Sequence, residues 1–284
     1  MTILITLKRT WYKLPIIFCL IIFITVYLYL INNTFEITEI SLKYDKLPES
    51  FNGYKIALIS DLHDKNFGKN NNRLIEAIKN ENPDIITMAG DMHGDNDDVK
   101  FINFIKALAK VAPLYYAEGN HESPPFIKTD YDDYIKALTN AGAIILNENS
   151  LILHSDSKNY IKITGMNWHL YKIGDISFNQ KDFNILLLHN PFAFDDFAKN
   201  PPDLMLSGHI HGGVVRLPFI GCLFSPGAGT SFLNRWKRQF FFPKYSKGVY
   251  NFEGHRLVVT TGLGNTIFPF RLIRPEIVII TLIK

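Results

Sequence analysis

The sequence predicts an α/β protein carried on one N-terminal transmembrane helix. Three observations predict it. Short apolar runs alternate with segments of helical periodicity, most runs end on a polar residue entering a loop, and one N-terminal stretch is free of charge. Alternation of that kind marks βαβ units with largely buried strands, and by itself suggests a doubly wound parallel sheet.

The charge-free stretch is Leu14–Ile31, LPIIFCLIIFITVYLYLI, and its 18 residues just suffice for one membrane span. Lys8, Arg9 and Lys13 precede it, while Asn32, Asn33 and Glu36 follow. Positive residues stay on the cytoplasmic side, so the N-terminus is expected inside and the globular part across the membrane. A cleaved signal peptide is the rival reading. The run is long for one, and no small-x-small site follows closely. Residues 1–33 are therefore read as cytoplasmic N-terminus and anchor, and residues 34–284 as one globular domain.

Beyond the anchor, ITEISLKY (Ile37–Tyr44) alternates apolar and polar residues like a strand. Tyr54–Ser60 is an apolar run ending at Asp61. An asparagine-rich loop, Asn66–Asn72, enters the helical pattern of Asn70–Asn80, which Pro83 stops. Asp84–Ala89 ends at Gly90-Asp91, Val99–Val111 is helix-like, and Pro113–Ala117 runs into Glu118–Glu122. Later, Phe183–Leu188 leads into His189 and Asp203–Leu206 into Ser207–His211, with further strands at Leu257–Thr261 and Glu276–Leu282.

A chain of 284 residues, 47% of them hydrophobic, can bury a full core. Lys and Arg number 30 against 27 Asp and Glu, a net +3, so charge gives no reason to expect a nucleic-acid partner. The only two cysteines are Cys19, inside the apolar run, and Cys222, far from it, which excludes a disulfide framework. Any metal site must then be built from His, Asp, Asn or Glu, donors that suit Mn, Fe or Zn.

Five strand ends carry the chemistry: Asp61-Leu-His63, Gly90-Asp91, Gly119-Asn120-His121-Glu122, His189 and Gly208-His209-Ile-His211. In an α/β sheet the loops at the carboxyl ends of strands line the ligand crevice. Each group alone has a structural explanation. Asp61 or Asp91 could cap a helix, Asn120 could sit in a turn, and His189 before a proline could be a satisfied core histidine. Five together would leave too many buried-edge polar groups without partners.

As an ordered set they resemble the calcineurin-like metallophosphoesterase superfamily, whose pattern is D-x-H, G-D, G-N-H-[DE], H and G-H-x-H. The resemblance runs from about Tyr54 to the C-terminus. SDLH, FGKNN, SGHIHGG leading into RLPFIG, FPKYSKG, TTGLGN and RPEI are similar to its membrane-anchored bacterial branch. It implies a four-layer sandwich of two mixed β-sheets flanked by helices. It also implies two metal ions, with Asp61, His63, Asp91 and His211 on one, and Asp91, Asn120, His189 and His209 on the other. Asp91 would bridge them, and His121 would stabilise or protonate the leaving group. The family often places an aspartate three residues after the bridging one, to orient that histidine. Here Gly94 holds the position, with Asp95 one step later. His93 reads as a loop residue, His154, His169 and His255 as structural or solvated, and Asp195-Asp196 as a charge cluster on a helix face.

The segment Ser231–Phe242, SFLNRWKRQFFF, interleaves Arg235, Lys237 and Arg238 with aromatics and looks like an insertion relative to that branch. Such a segment suits an anionic membrane surface or lipid-linked phosphates, and equally suits snorkelling cations covering a core. The expected function is hydrolysis of phosphate esters or pyrophosphates, of lipid-linked or cell-envelope substrates, outside the cytoplasm. A nuclease of the same superfamily and a non-catalytic scaffold with the same fold are the alternatives. Oligomeric state leaves no mark in the sequence.

Overall fold

The structure, a computed structural model, is described for residues 13–94, 98–122, 130–168, 176–217, 219–225, 240–265 and 271–284. The anchor basics Lys8 and Arg9, Asp95, His169 and the body of the Ser231–Phe242 segment fall outside them.

Helix α1, Lys13–Asn33, is long and apolar enough to cross a membrane. Its large side chains are exposed all round, which a core helix would not show. Strand β1 (Glu36–Lys43) follows after two residues and pairs in parallel with β14 (Glu276–Ile283). β14 in turn lies antiparallel to β2 (Lys55–Ile59). From β2 the first sheet continues in parallel through β3 (Ile85–Ala89), β4 (Leu114–Ala117) and β5 (Ala143–Ile145).

Helices α2 (Asn72–Asn80), α3 (Asp98–Leu108) and α4 (Tyr131–Asn140) make the crossovers between these strands. Asn70 and Asn71 take left-handed backbone at the entry to α2, which asparagine tolerates better than most residues. That is the physical sense of the asparagine-rich stretch. Asp130 caps α4, its carboxylate accepting the N–H groups of Asp132 and Asp133.

The chain then leaves this sheet. A second six-stranded sheet has the order β12 (Gly248–Phe252), β13 (His255–Val259), β9 (Leu204–Ser207), β8 (Asn184–Leu187), β7 (Tyr160–Gly165), β6 (Asn149–His154). A hairpin of β10 (Val215–Leu217) and β11 (Gly221–Phe224) stands apart.

Period-two alternation assigns the layers. In β2, Ala57 and Ile59 face the helices, while Ile56 and Leu58 face the second sheet. In β8, Ile185 and Leu187 join the core between the sheets, and Leu186 packs outward under the 3-10 turn Pro191–Phe197. The result is the four-layer sandwich that the resemblance implies. It corrects the doubly wound sheet that alternation alone suggests. Fully buried strands read as continuous apolar runs whichever sheet they join, so the run pattern cannot show where one sheet ends and another begins.

Candidate metal centre

β2, β3 and β4 are parallel neighbours in the first sheet, and β8 and β9 are parallel neighbours in the second. Their carboxyl ends meet at one edge of the sandwich. Asp61, Asp91, Asn120, His121, His189 and His209 stand just beyond those ends, with His63 and His211 two residues further along their loops.

The side chains form two groups around Asp61 and Asp91. In the first, His211 Nε2 lies 3.2 Å from Asp61 Oδ1 and 3.3 Å from His63 Nε2. In the second, His189 Nε2 lies 3.1 Å from Asp91 Oδ2 and 3.2 Å from His209 Nδ1. His63 and His121 approach Asp91 Oδ2 at 3.8 and 4.0 Å. Each of the triads Asp61–His63–His211 and Asp91–His189–His209 offers ligand atoms close enough to hold one metal ion. The Asn120 side-chain oxygen is buried in the same loop as His121.

The donor chemistry fits cations. His189 Nδ1 sits 2.6 Å from the Ala89 carbonyl, so that nitrogen donates to the backbone and Nε2 is the ring atom turned to the Asp91 carboxylate. At 3.1 Å from Asp91 Oδ2 this nitrogen is held by a proton in the protein alone, a place that a metal cation could take instead. Burial pushes the His63 imidazolium down to about 4, against the pull of Asp91. Burial, His63 and Arg271 hold His211 well below its usual value. Both rings are thus neutral and able to ligate. His211 Nδ1 is buried without a hydrogen-bond partner, so an ion at Nε2 would be the contact that fixes this ring.

Burial raises the Asp61 carboxyl to about 6, opposed by His189 and helped by Asp91. At Asp91 burial also pushes upward, but His189, His63 and His121 outweigh it and hold the carboxyl well below the usual range. At His189 burial pushes down, and the carboxylates of Asp91 and Asp61 raise it to about 9. The protein alone thus balances two buried carboxylates with one imidazolium.

The backbone is bent to this purpose. Asp61, His63, Asp91, His209 and His211 all have positive φ, between 44° and 73°. Such conformations cost about 1–3 kcal/mol each and persist where surrounding structure imposes them. Gly208 shows one imposed contact, because a Cβ there would overlap Ser60 Oγ and the Asp61 carboxylate. The His209 N–H donates to that carboxylate at 3.0 Å.

Several supporting residues lie outside the ligand set. Glu122, the acidic end of GNHE, accepts the N–H groups of Asp91, Met92, His93 and Gly119 and so fixes the Asp91 loop against the Asn120–His121 loop. Trp168 packs its ring on His209 and His189. Buried Arg271 donates to the carbonyls of Gly262, Gly264 and His211. Only Glu122 could have been found from the motif.

The departure at Gly94 has a spatial counterpart. Asp64 Oδ1 accepts the Gly94 N–H at 3.0 Å, and a Cβ on Gly94 would run into the Asp64 carboxyl group. An acidic group therefore stands beside that position, supplied by the first metal loop. His93 is buried and packs on Phe101 and Tyr134, so it belongs to the core. Of the remaining histidines, His154 lies on β6 and His255 on β13, where His255 Nδ1 faces the Pro202 carbonyl at 2.9 Å. Asp195 sits on the 3-10 turn and binds Lys244 and the Tyr245 hydroxyl, an ion-pair role more specific than a charge cluster.

The sequence profile of the calcineurin-like phosphoesterase family matches residues 54–213. The chain belongs to this family. Among its relatives, the uncharacterized metallophosphoesterase YkuE of Bacillus subtilis (strain 168) is 29% identical over 269 residues, covering 89% of this chain and 87% of that protein. The phosphodiesterase YaeI of Escherichia coli (strain K12) is 26% identical, covering 81% of this chain and 82% of that one. A transmembrane protein with metallophosphoesterase domain from Danio rerio is 27% identical over 84% of this chain, and the match spans 54% of that longer protein. This chain is a metal-dependent phosphoester hydrolase, and its clustered carboxylates and imidazoles fit metal binding.

Proposed function

We propose that the chain is a membrane-anchored phosphoesterase acting outside the cytoplasm on phosphate esters or pyrophosphates of lipid-linked or cell-envelope molecules. The observation that carries the reading is the pair of donor triads packed edge to edge, with Asp91 against both. Asp61, His63, Asp91 and His211 would hold one ion. Asp91, Asn120, His189 and His209 would hold the other, each ion being Mn, Fe or Zn. Two such ions would supply the Lewis acidity that lowers the pKa of a bound water and stabilises charge on the phosphoryl oxygens.

The chain's own residues do the rest. Glu122 and the His121 N–H, which donates to Asp91 Oδ1 at 2.8 Å, hold the two loops in register. The His121 ring is half exposed, stacks edge-on to His63 at 4.8 Å and stands above Asp91, where a leaving group would depart. It gives a proton to that oxygen, or stabilises its charge. The lipid preference is supported by α1 and by the composition of Ser231–Phe242, and the membrane location by the Danio rerio relative, a transmembrane protein.

The test is an activity screen of the full chain in detergent, reconstituted in turn with Mn, Fe and Zn. Metal-dependent release of phosphate or alcohol from amphiphilic phosphoesters is expected. Activity confined to nucleic acids, or binding of metal with no turnover on any phosphoester, would overturn the reading.

A further inference from the structure

The exposed tip of the β10–β11 hairpin lies on the same packed unit as the end of the anchor helix. We propose that Phe219 and Ile220 of this tip, with Leu272, form a second membrane contact that enters the interface of the leaflet from which α1 emerges. The proposal rests on the reading of α1 as a membrane helix.

α1 has 21 residues and so extends about 31 Å, the thickness of a bilayer's hydrocarbon core. Its far end, Asn32–Asn33, is thereby placed at headgroup level. That end is not a free tether. Asn32 is buried, its Nδ2 donates to the Arg271 carbonyl at 3.1 Å, and its Oδ1 accepts the Arg271 N–H at 2.7 Å. Only two residues then separate α1 from β1. The segment at Arg271 must therefore lie at the level where the helix leaves the lipid.

Leu272 is the next residue and is exposed. With Ile273 it lines a trough of about 360 Å³ whose other wall is Leu217, Phe219 and Ile220. Phe219 is fully exposed, and its φ of 66° is left-handed, where a bulky side chain is an outlier. An aromatic held out into solvent by strained backbone next to a membrane helix is accounted for by an apolar medium on that side. Phe241 and Phe242, both exposed, extend the surface, since Phe242 N donates to Leu223 of β11 at 3.0 Å.

The same unit holds the metal turn. Arg271 Nη2 donates to the His211 carbonyl at 3.3 Å, and Arg216 of the hairpin donates to the Gly212 carbonyl at 3.1 Å. Helix end, hairpin and metal-bearing turn are thus fixed to one another. The substrate class that follows is a phosphoester presented at the bilayer surface, with its acyl part left in the lipid.

Collision accessibility of nitroxide labels would test this in the full chain in vesicles containing anionic lipid, with Cys19→Ala and Cys222→Ser as background. A label at Phe219→Cys should favour oxygen over an aqueous nickel chelate, as a label at Phe23→Cys in the helix does. A label at Ile152→Cys, on the opposite end of the second sheet, should favour the chelate. Aqueous behaviour at position 219 with lipid behaviour at position 23 would overturn the proposal alone. Aqueous behaviour at both would overturn the anchor reading beneath it.

In the native cysteine background, Phe219→Ser combined with Ile220→Ser should lower turnover of a phospholipid ester in vesicles several-fold. Hydrolysis of soluble p-nitrophenyl phosphoesters should be unchanged. An unchanged rate on the vesicle substrate would count against the contact. Equal losses on both substrates would show that the tip supports the fold, and would overturn the proposal.

Discussion

In the proposed centre Asp91 is the residue that both ions would share, because its Oδ2 lies 3.1 Å from His189 and 3.8 Å from His63. Asp91→Ala is expected to abolish turnover and to loosen both ions, whereas Asp61→Ala should weaken mainly one. Equilibrium dialysis followed by metal quantification distinguishes the two, and a fully loaded, active Asp91→Ala protein would sink the assignment. His121 stands apart from that role. It is the most exposed ring of the cluster, with 45% of its side chain open, and it reaches Asp91 only at 4.0 Å. His121→Ala should keep its metal content and lose about 10²–10⁴-fold in rate, the usual contribution of a general acid or base. The loss should shrink for p-nitrophenyl esters, whose leaving group needs little protonation. An equal loss on alkyl esters would mean that His121 does not protonate the leaving oxygen.

The elements explain which parts of the site were legible. Asp61, Asp91 and His189 could be read from sequence because each ends an apolar run, and the strand end dictates where such a residue stands. His209 and His211 were legible through the glycines around them. The left-handed backbone of Asp61, His63, Asp91, His209 and His211 leaves no mark in a run pattern, which registers polarity and not backbone conformation. β5 and β6 were missed because they are short edge strands of mixed exposure, and β7 because its alternation spans only Tyr160–Ile163 before consecutive buried positions. Arg271 was invisible for a different reason. Its importance comes from carbonyls of its own β13–β14 connection and of the His211 turn about 60 residues away, and no local pattern encodes that meeting. Arg271→Met should therefore destabilise the protein and weaken metal retention together, since each buried carbonyl left without a donor costs about 1–3 kcal/mol. Denaturant unfolding and dialysis on the same preparation check this, and a variant of full stability and metal affinity would show that the guanidinium is dispensable.

At the scale of the whole molecule, the question is which side of the membrane the metal edge faces. Lys13 opens α1 and no acidic or basic residue lies in its last turn. With Lys8 and Arg9 ahead of it in the sequence, the flank before α1 is basic, while residues 34–42 after it hold no Lys or Arg. The proposed cytoplasmic N-terminus rests on that asymmetry. On that proposal the short joint to β1 and the Asn32–Arg271 bonds would hold the rest of the chain at the opposite face. The domain should therefore remain with the membrane fraction after a high-salt wash, because a helix of this length is held by burial of apolar area, and salt screens only charge. Protease added to intact cells or spheroplasts should reach the domain and leave a short, protected N-terminal fragment. Protection of the domain would reverse the orientation. A soluble mature form beginning after Asn33 would replace the anchor by a cleaved signal, and would remove the physical basis for holding the metal edge at a bilayer surface.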